Sequence, residues 1–357
     1  MEKLRAGIIG SGGISAMHTN GYKRLPNVEI AACCDLNADR AKNYAAYHGI
    51  PHWYTDMNEM LAKEKLDLVS VTTWNAAHMP AAIAALNAGA NVLCEKPMAM
   101  NAAEAQMMAD AAKKAGKLLQ VGFVRRFENS TDVIKSFSEN GYIGDIYAAK
   151  VSYLRRNGCP GGWFGDKKFS GGGPLIDLGV HVIDLARYLA GNPKPVSAYG
   201  ATFTNLGRDR AKNAVPTFGY ERDNRAPEGC VHNVEDFALA IVRFDNGFVL
   251  NIDASFNLNI KNEDENTFKL FGTKAGIDLT NGLEIYTQLN DYFVNVAPFG
   301  IPANNFTASF NAEIEGFVKC VAENAPCKAP AEDGVILMKI LDAIYESART
   351  GHEVTID

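Results

Sequence analysis

The chain has 357 residues, more than a single hydrophobic core usually organises, and 47% of them are apolar, enough to fill two cores. Lys and Arg number 35 against 41 Asp and Glu, a net charge of −6 with no basic cluster, which excludes a protein that coats nucleic-acid phosphates. No apolar run approaches the roughly 20 residues that cross a bilayer, and seven cysteines without a Cys-x-x-Cys pair speak against a disulfide framework or a zinc centre of ordinary spacing.

Lys3 and Arg5 precede a mostly apolar stretch, as in a signal peptide, but Gly7, Gly10, Gly12 and Gly13 interrupt it and no small-residue cleavage site follows. The stretch reads instead as a strand, Ala6–Ile9, and a turn, and the protein as cytoplasmic. Further strands are expected at Val28–Cys34, Leu66–Thr72, Ala90–Cys94 and Leu118–Gly122. Helices are expected at Ile14–Leu25, Ala38–His48, Met57–Lys63, Pro80–Ala88 and Ala102–Ala115, the last with an Asn101/Glu104 capping pair and Gly116 as its stop. Uniformly apolar strands separated by helices predict an α/β doubly wound parallel sheet over residues 1–123.

After Phe123 the pattern changes. Ser130–Glu139 and Pro174–Leu189 read as helices. Tyr147–Leu154, Val196–Thr204, Phe237–Phe244, Phe248–Phe256, Thr267–Phe271, Leu283–Thr287 and Tyr292–Val296 read as strands, with a hairpin turn at Asp245-Asn246-Gly247. Helices at Asn311–Glu323 and Gly334–Thr350 close the chain, so residues 124–357 form an α+β domain on a mostly antiparallel sheet. Residues 206–232 make a long polar loop, functional or disordered. Cys230-x-His232 has no matching second pair, and no metal is expected.

Gly10-Ser11-Gly12-Gly13-Ile14-Ser15 joins the first strand to the first helix. Gly10 permits the tight turn, and Gly12 and Gly13 let backbone approach a pyrophosphate at the helix N-terminus, beside Ile14. Ser15 departs from the Gly or Ala usual at the third position. Asp35, at the end of the second strand, suits the adenosine ribose hydroxyls and would repel a 2′-phosphate, which favours NAD over NADP. Its alternative task is capping the next helix, which Asn37 could equally do. Arg40 is near enough in sequence to accommodate a 2′-phosphate.

Cys94-Glu95-Lys96-Pro97 follows the fourth expected strand, at the edge where such sheets bind ligands. Lys96 could stabilise an oxygen that gains charge during hydride transfer, or be a solvated surface lysine. Pro97 could be cis. In the helix after Gly171-Gly172-Gly173-Pro174, Asp177 and His181 share a face, with Asp184 three residues beyond. His181 suits general acid/base work, or a structural pairing with either aspartate.

These four motifs, in order and spacing, resemble the Gfo/Idh/MocA oxidoreductases. The resemblance implies a Rossmann domain, a second α/β domain with an open, mainly antiparallel sheet, and homodimers or homotetramers built through that sheet. It implies Lys96, Asp177 and His181 as the catalytic set acting on a sugar or polyol hydroxyl. His181 would take the proton, Lys96 hold the oxygen, and Asp177 orient the substrate or Lys96. Where relatives commonly have Thr-Pro-Asn, this chain has Thr73-Trp74-Asn75. Asn75 and His78 keep their places, and the resemblance implies that with Thr73, Trp74 and Glu95 they border the cofactor. By the same resemblance Arg126 falls in a segment expected to line the active site. Arg156, Asn157 and Trp163 border the substrate, where Trp suits stacking on a sugar face, or belong to a sheet edge and interface. An NAD-dependent glycosidase that oxidises its substrate transiently, and an NAD-sensing regulator without catalysis, are the other readings.

Overall fold

The computed structural model describes residues 3–206 and 232–357. The chain begins β1 (Leu4–Ile9), α1 (Ser15–Lys23), β2 (Val28–Cys34), α2 (Ala38–His48), β3 (His52–Tyr54), α3 (Met57–Glu64), β4 (Leu68–Val71), α4 (His78–Asn87), β5 (Asn91–Glu95), α5 (Ala102–Ala115) and β6 (Leu119–Gly122). It continues with α6 (Asn129–Glu139), β7 (Ile146–Arg155), α7 (Lys167–Ser170), a π-helical turn at Leu175–Gly179, α8 (Val180–Leu189) and β8 (Pro195–Phe203). After residue 232 come β9 (Phe237–Phe244), β10 (Val249–Ser255), β11 (Asp264–Gly272), β12 (Ala275–Asp278), β13 (Glu284–Leu289), β14 (Tyr292–Val296), α9 (Phe306–Glu323), α10 (Ala331–Thr350) and β15 (Val354–Thr355). Of residues 206–232 only the two ends are described, and Cys230 lies outside the described residues. Among the described residues no helix is long and apolar enough to cross a membrane.

The described residues fall into two compact units. Unit 1 holds residues 3–127 and 306–338. Its six parallel strands run in the order β3-β2-β1-β4-β5-β6. The Asn101 side chain caps α5 by accepting from the Glu104 N–H at 2.9 Å, and Gly116 ends that helix in the left-handed region. Helix α9 is built into this unit: Ile314, Phe317 and Val318 share one core with Ala6, Ile8, Tyr22, Cys33, Leu68 and Leu93.

Unit 2 holds residues 128–206, 232–305 and 339–357. Its nine strands run β14-β13-β12-β11-β7-β10-β9-β8-β15, antiparallel except for the parallel pair β7–β10. Ala238, Ala240, Val242 and Phe244 of β9 and Leu250, Ile252 and Ala254 of β10 bury alternate side chains, the period-two pattern of a sheet covered on one face. Three short strands are absent from the sequence reading. β3 and β15 have three and two residues and lie at sheet edges, and β12 starts on Ala275-Gly276, a weak strand signal.

Because Phe317 is fully buried in the core of unit 1, Phe317→Ala should destabilise that unit by about 3–5 kcal/mol. Urea unfolding followed by a probe in β1–β6 checks this, and an unmoved midpoint would detach α9 from the core.

Candidate active site

The turn between β1 and α1 is built as its glycines require. Gly10 has φ +92°, and a Cβ there would stand 2.7 Å from the Thr72 carbonyl oxygen. A Cβ on Gly12 would meet nothing within 4 Å, which leaves open space before the helix start for a pyrophosphate. Ile14 offers no side-chain cap there. Ser15, the departure from Gly or Ala, is buried and donates back to the Gly12 carbonyl at 2.5 Å, which tightens the turn.

Asp35 closes the cradle. Its Oδ2 accepts from the Ser11 N–H and hydroxyl, both at 3.0 Å, and its Oδ1 accepts from the Asn37 N–H at 2.9 Å, with an Arg40 nitrogen at 3.6 Å. Asn37, not Asp35, caps α2, accepting from the Arg40 N–H at 3.0 Å. An open glycine cradle, a helix N-terminus and a carboxylate at the end of β2 fit an adenine dinucleotide.

The next two strand ends carry the other expected residues. Thr73 and Trp74 are half-buried, and Asn75 is buried in a 3-10 turn. His78 opens α4 with Nδ1 2.7 Å from the Pro97 carbonyl and Nε2 3.2 Å from that of Thr73, so it ties together the loops after β4 and β5. Burial pushes its pKa down. Lys96 is half-buried, and the Lys96–Pro97 bond is cis.

Glu95 does not open toward a ligand. It is buried, with Oε1 2.9 Å from His18 Nε2 and Oε2 accepting the Lys96 N–H at 3.1 Å. His18, wholly buried, sets Nδ1 3.0 Å from the Ser70 hydroxyl, which lies 2.9 Å from the Tyr22 hydroxyl. Burial pushes the Glu95 carboxyl up, but the hydrogen bond and charge of His18, with Lys96 and His78, outweigh it and hold it below the usual carboxylate range.

Arg126 is turned inward. Its side chain is 0% exposed, and one guanidinium nitrogen donates to the Lys328 carbonyl at 2.6 Å and to Asp333 at 2.7 Å. It clamps the exit of β6 to the start of α10.

In unit 2, Glu235 fixes the entry to the helix that bears the other expected residues. Its carboxylate accepts from the Gly173 N–H at 2.9 Å, the Leu175 N–H at 3.3 Å and the Tyr345 hydroxyl at 2.8 Å. A Cβ on Gly172 would meet the Tyr345 oxygen and one on Gly173 the Glu235 carbonyl at 2.4 Å, so both positions need glycine. Burial raises the Glu235 pKa against the pull of these donors. Asp177 sits buried on the π turn and His181, half-buried, in the first turn of α8, with Asp184 buried beyond it. π turns of this kind recur at functional sites.

Arg156 and Asn157, with Asn259 and Ile260, line a depression of about 420 Å³. Arg156 is exposed and donates to the Lys261 carbonyl at 3.3 Å. Trp163 stacks on Phe164, ring centroids 3.9 Å apart. Among the described residues no group of three His, Cys, Asp or Glu could hold a metal. Sequence reading passed over His18, Tyr22 and Ser70, and Glu235 and Tyr345. The available signal was His18 and Tyr22, four apart on a helix face that must pack against the sheet.

Residues 4–123 match the model of an oxidoreductase family with an NAD-binding Rossmann fold, Gfo/Idh/MocA, and residues 135–356 match that family's C-terminal alpha/beta domain. The chain is 33% identical over 355 residues to D-glucoside 3-dehydrogenase of Escherichia coli K12, covering 99% of this chain and 97% of that protein. It is 26% identical to myo-inositol 2-dehydrogenase of Thermotoga maritima, covering 99% of each. Among solved structures, levoglucosan dehydrogenase in complex with NADH superposes with a TM-score of 0.86 at 25% identity, covering 100% of both chains.

A carboxyl held below its ordinary pKa stabilises the fold above that value and loses this contribution as the pH falls through the folded one. Glu95 is such a group, with an ordinary value of 4.5. The stability difference between the native protein and Glu95→Gln should therefore be full above about pH 5 and shrink toward pH 3. Urea midpoints across that range test it, and a difference independent of pH would refute the assigned shift.

Proposed function

The chain belongs to the Gfo/Idh/MocA oxidoreductase family, and from that footing we propose that it transfers hydride between NAD(H) and a secondary hydroxyl or ketone of a sugar, sugar derivative or cyclitol. The observation that carries the reading is the placement of Lys96 directly after β5, at the carboxyl edge of the sheet whose first turn is the dinucleotide cradle. Relatives named for a glucoside, levoglucosan and myo-inositol support the substrate class.

Gly10, Gly12, Gly13 and Ile14 would hold the pyrophosphate and Asp35 the adenosine ribose, with Thr73, Trp74 and Asn75 beside the remainder. Bound NAD supplies the hydride acceptor. Lys96 holds the substrate oxygen and stabilises the charge it gains as its proton departs. His181 takes that proton as general base, and Asp177 orients the substrate or Lys96. Arg156 and Asn157 offer hydrogen bonds to further hydroxyls, and Trp163 an aromatic face for the ring. The enzyme works in the cytoplasm as a homodimer or homotetramer.

With a panel of sugars and cyclitols, NADH should accumulate steadily in step with free ketone. Lys96→Ala should cut turnover on the order of a hundredfold or more and His181→Ala by about 10²–10⁴, both with NADH affinity near native by fluorescence titration. Near-native turnover in either variant would overturn the assigned roles.

Asp35 makes a second, independent demand. NAD(H) should bind more tightly than NADP(H), and Asp35→Ser should narrow the gap by removing charge repulsion. Equal or tighter NADP(H) binding by the unaltered protein would refute this and assign Arg40 to a phosphate.

A further inference from the structure

We propose that His18 and Glu95 are positioning residues that lock Lys96 to the phosphate-binding helix α1, so that the cofactor cradle and the amine that meets the substrate form one rigid piece. Lys96 enters here in the role given to it above. His18 stands three residues beyond Ser15, within the first turns of the helix whose N-terminus faces the cradle. Its ring reaches Ser70 of β4 at 3.0 Å and Glu95 at the end of β5 at 2.9 Å, so one side chain joins α1 to two strands. Tyr22, one turn further along α1, holds the same Ser70 hydroxyl at 2.9 Å, which makes the attachment a ladder with two rungs.

Glu95 passes this fixity to Lys96. With Oε1 on His18, its Oε2 accepts the Lys96 N–H at 3.1 Å. Gly122 of β6 presses on the other side: a Cβ there would lie 3.2 Å from Glu95 Cα and 3.3 Å from Oε2, so the carboxylate is confined. From the far side of Lys96, His78 braces the Pro97 carbonyl at 2.7 Å. The backbone of Lys96 is thereby held from its own N–H and from the residue that follows it.

Energetics argue that position, and not stability, is what the pair supplies. His18 and Glu95 are both buried. A buried hydrogen-bonded pair adds little over well-packed apolar residues of the same shape, since desolvation offsets the attraction. What an apolar pair could not do is accept the Lys96 N–H. A misplacement of about 1 Å at a reacting group can cost on the order of a hundredfold in rate.

The test compares Glu95→Gln with the apolar pair His18→Leu/Glu95→Met. The glutamine variant keeps an acceptor for Lys96 and should lose severalfold less kcat than the apolar pair. The apolar pair should match or exceed the native Tm and bind NADH within about threefold of native, yet lose kcat by on the order of 10- to 100-fold, with KM changed far less. A second readout needs no substrate: the rate at which acetic anhydride acylates Lys96 in the NADH complex, followed by mass spectrometry, should change severalfold in the apolar pair and little in Glu95→Gln. Native kcat and native acylation in the apolar pair would overturn the proposal. So would a loss of kcat that merely tracks a fallen Tm. If the acylation rates change as expected but the native protein oxidises no polyol, the functional reading of Lys96 fails and the lock stands.

Discussion

A carboxylate withdrawn from water must find donors, and the candidate-site segments of this protein are held by carboxylates that find theirs in backbone N–H groups. Asp35 takes the N–H of Ser11 and fixes the glycine turn to the end of β2. Glu95 takes the N–H of Lys96. Glu235 takes those of Gly173 and Leu175, at the mouth of the helix that carries Asp177 and His181. In each case the acid is near or below the surface, while the residue expected to meet a ligand lies beside it in the chain or on the segment it anchors. Loops are ordinarily the mobile part of a fold; here the same ionic requirement that penalises burial makes them stiff.

Much of this was legible beforehand where local chemistry decides the outcome. Apolar strands flanked by helices gave the parallel sheet, and the Asn101/Glu104 cap and the Asn37 cap formed because short polar side chains compete for helix N–H groups wherever they occur. The glycine turn was readable because few other residues tolerate it. The strands β3, β12 and β15 were not, since two to four residues carry too little periodicity to register.

The site was less legible than the fold, for a physical reason. A sequence shows which residues are polar but not which way they turn. Glu95 and Arg126 stand in segments associated with ligands, yet both point inward, one onto His18 and the other onto Asp333. Their partners lie 77 and 207 residues away, beyond the reach of any local pattern. Tyr345, which completes the donors to Glu235, is likewise 110 residues from it.

The position of α9 bears on how the molecule is made. A ribosome delivers residues 3–127 first, but the core they surround includes Ile314, Phe317 and Val318. At roughly 5–20 residues per second, the intervening stretch takes on the order of 10–40 seconds to emerge. Over that interval the nascent sheet exposes the apolar surface that α9 will cover, which is the kind of surface chaperones bind. The nucleotide-binding unit, whose strands are translated well before α9, is thus among the last parts of the polypeptide to be completed.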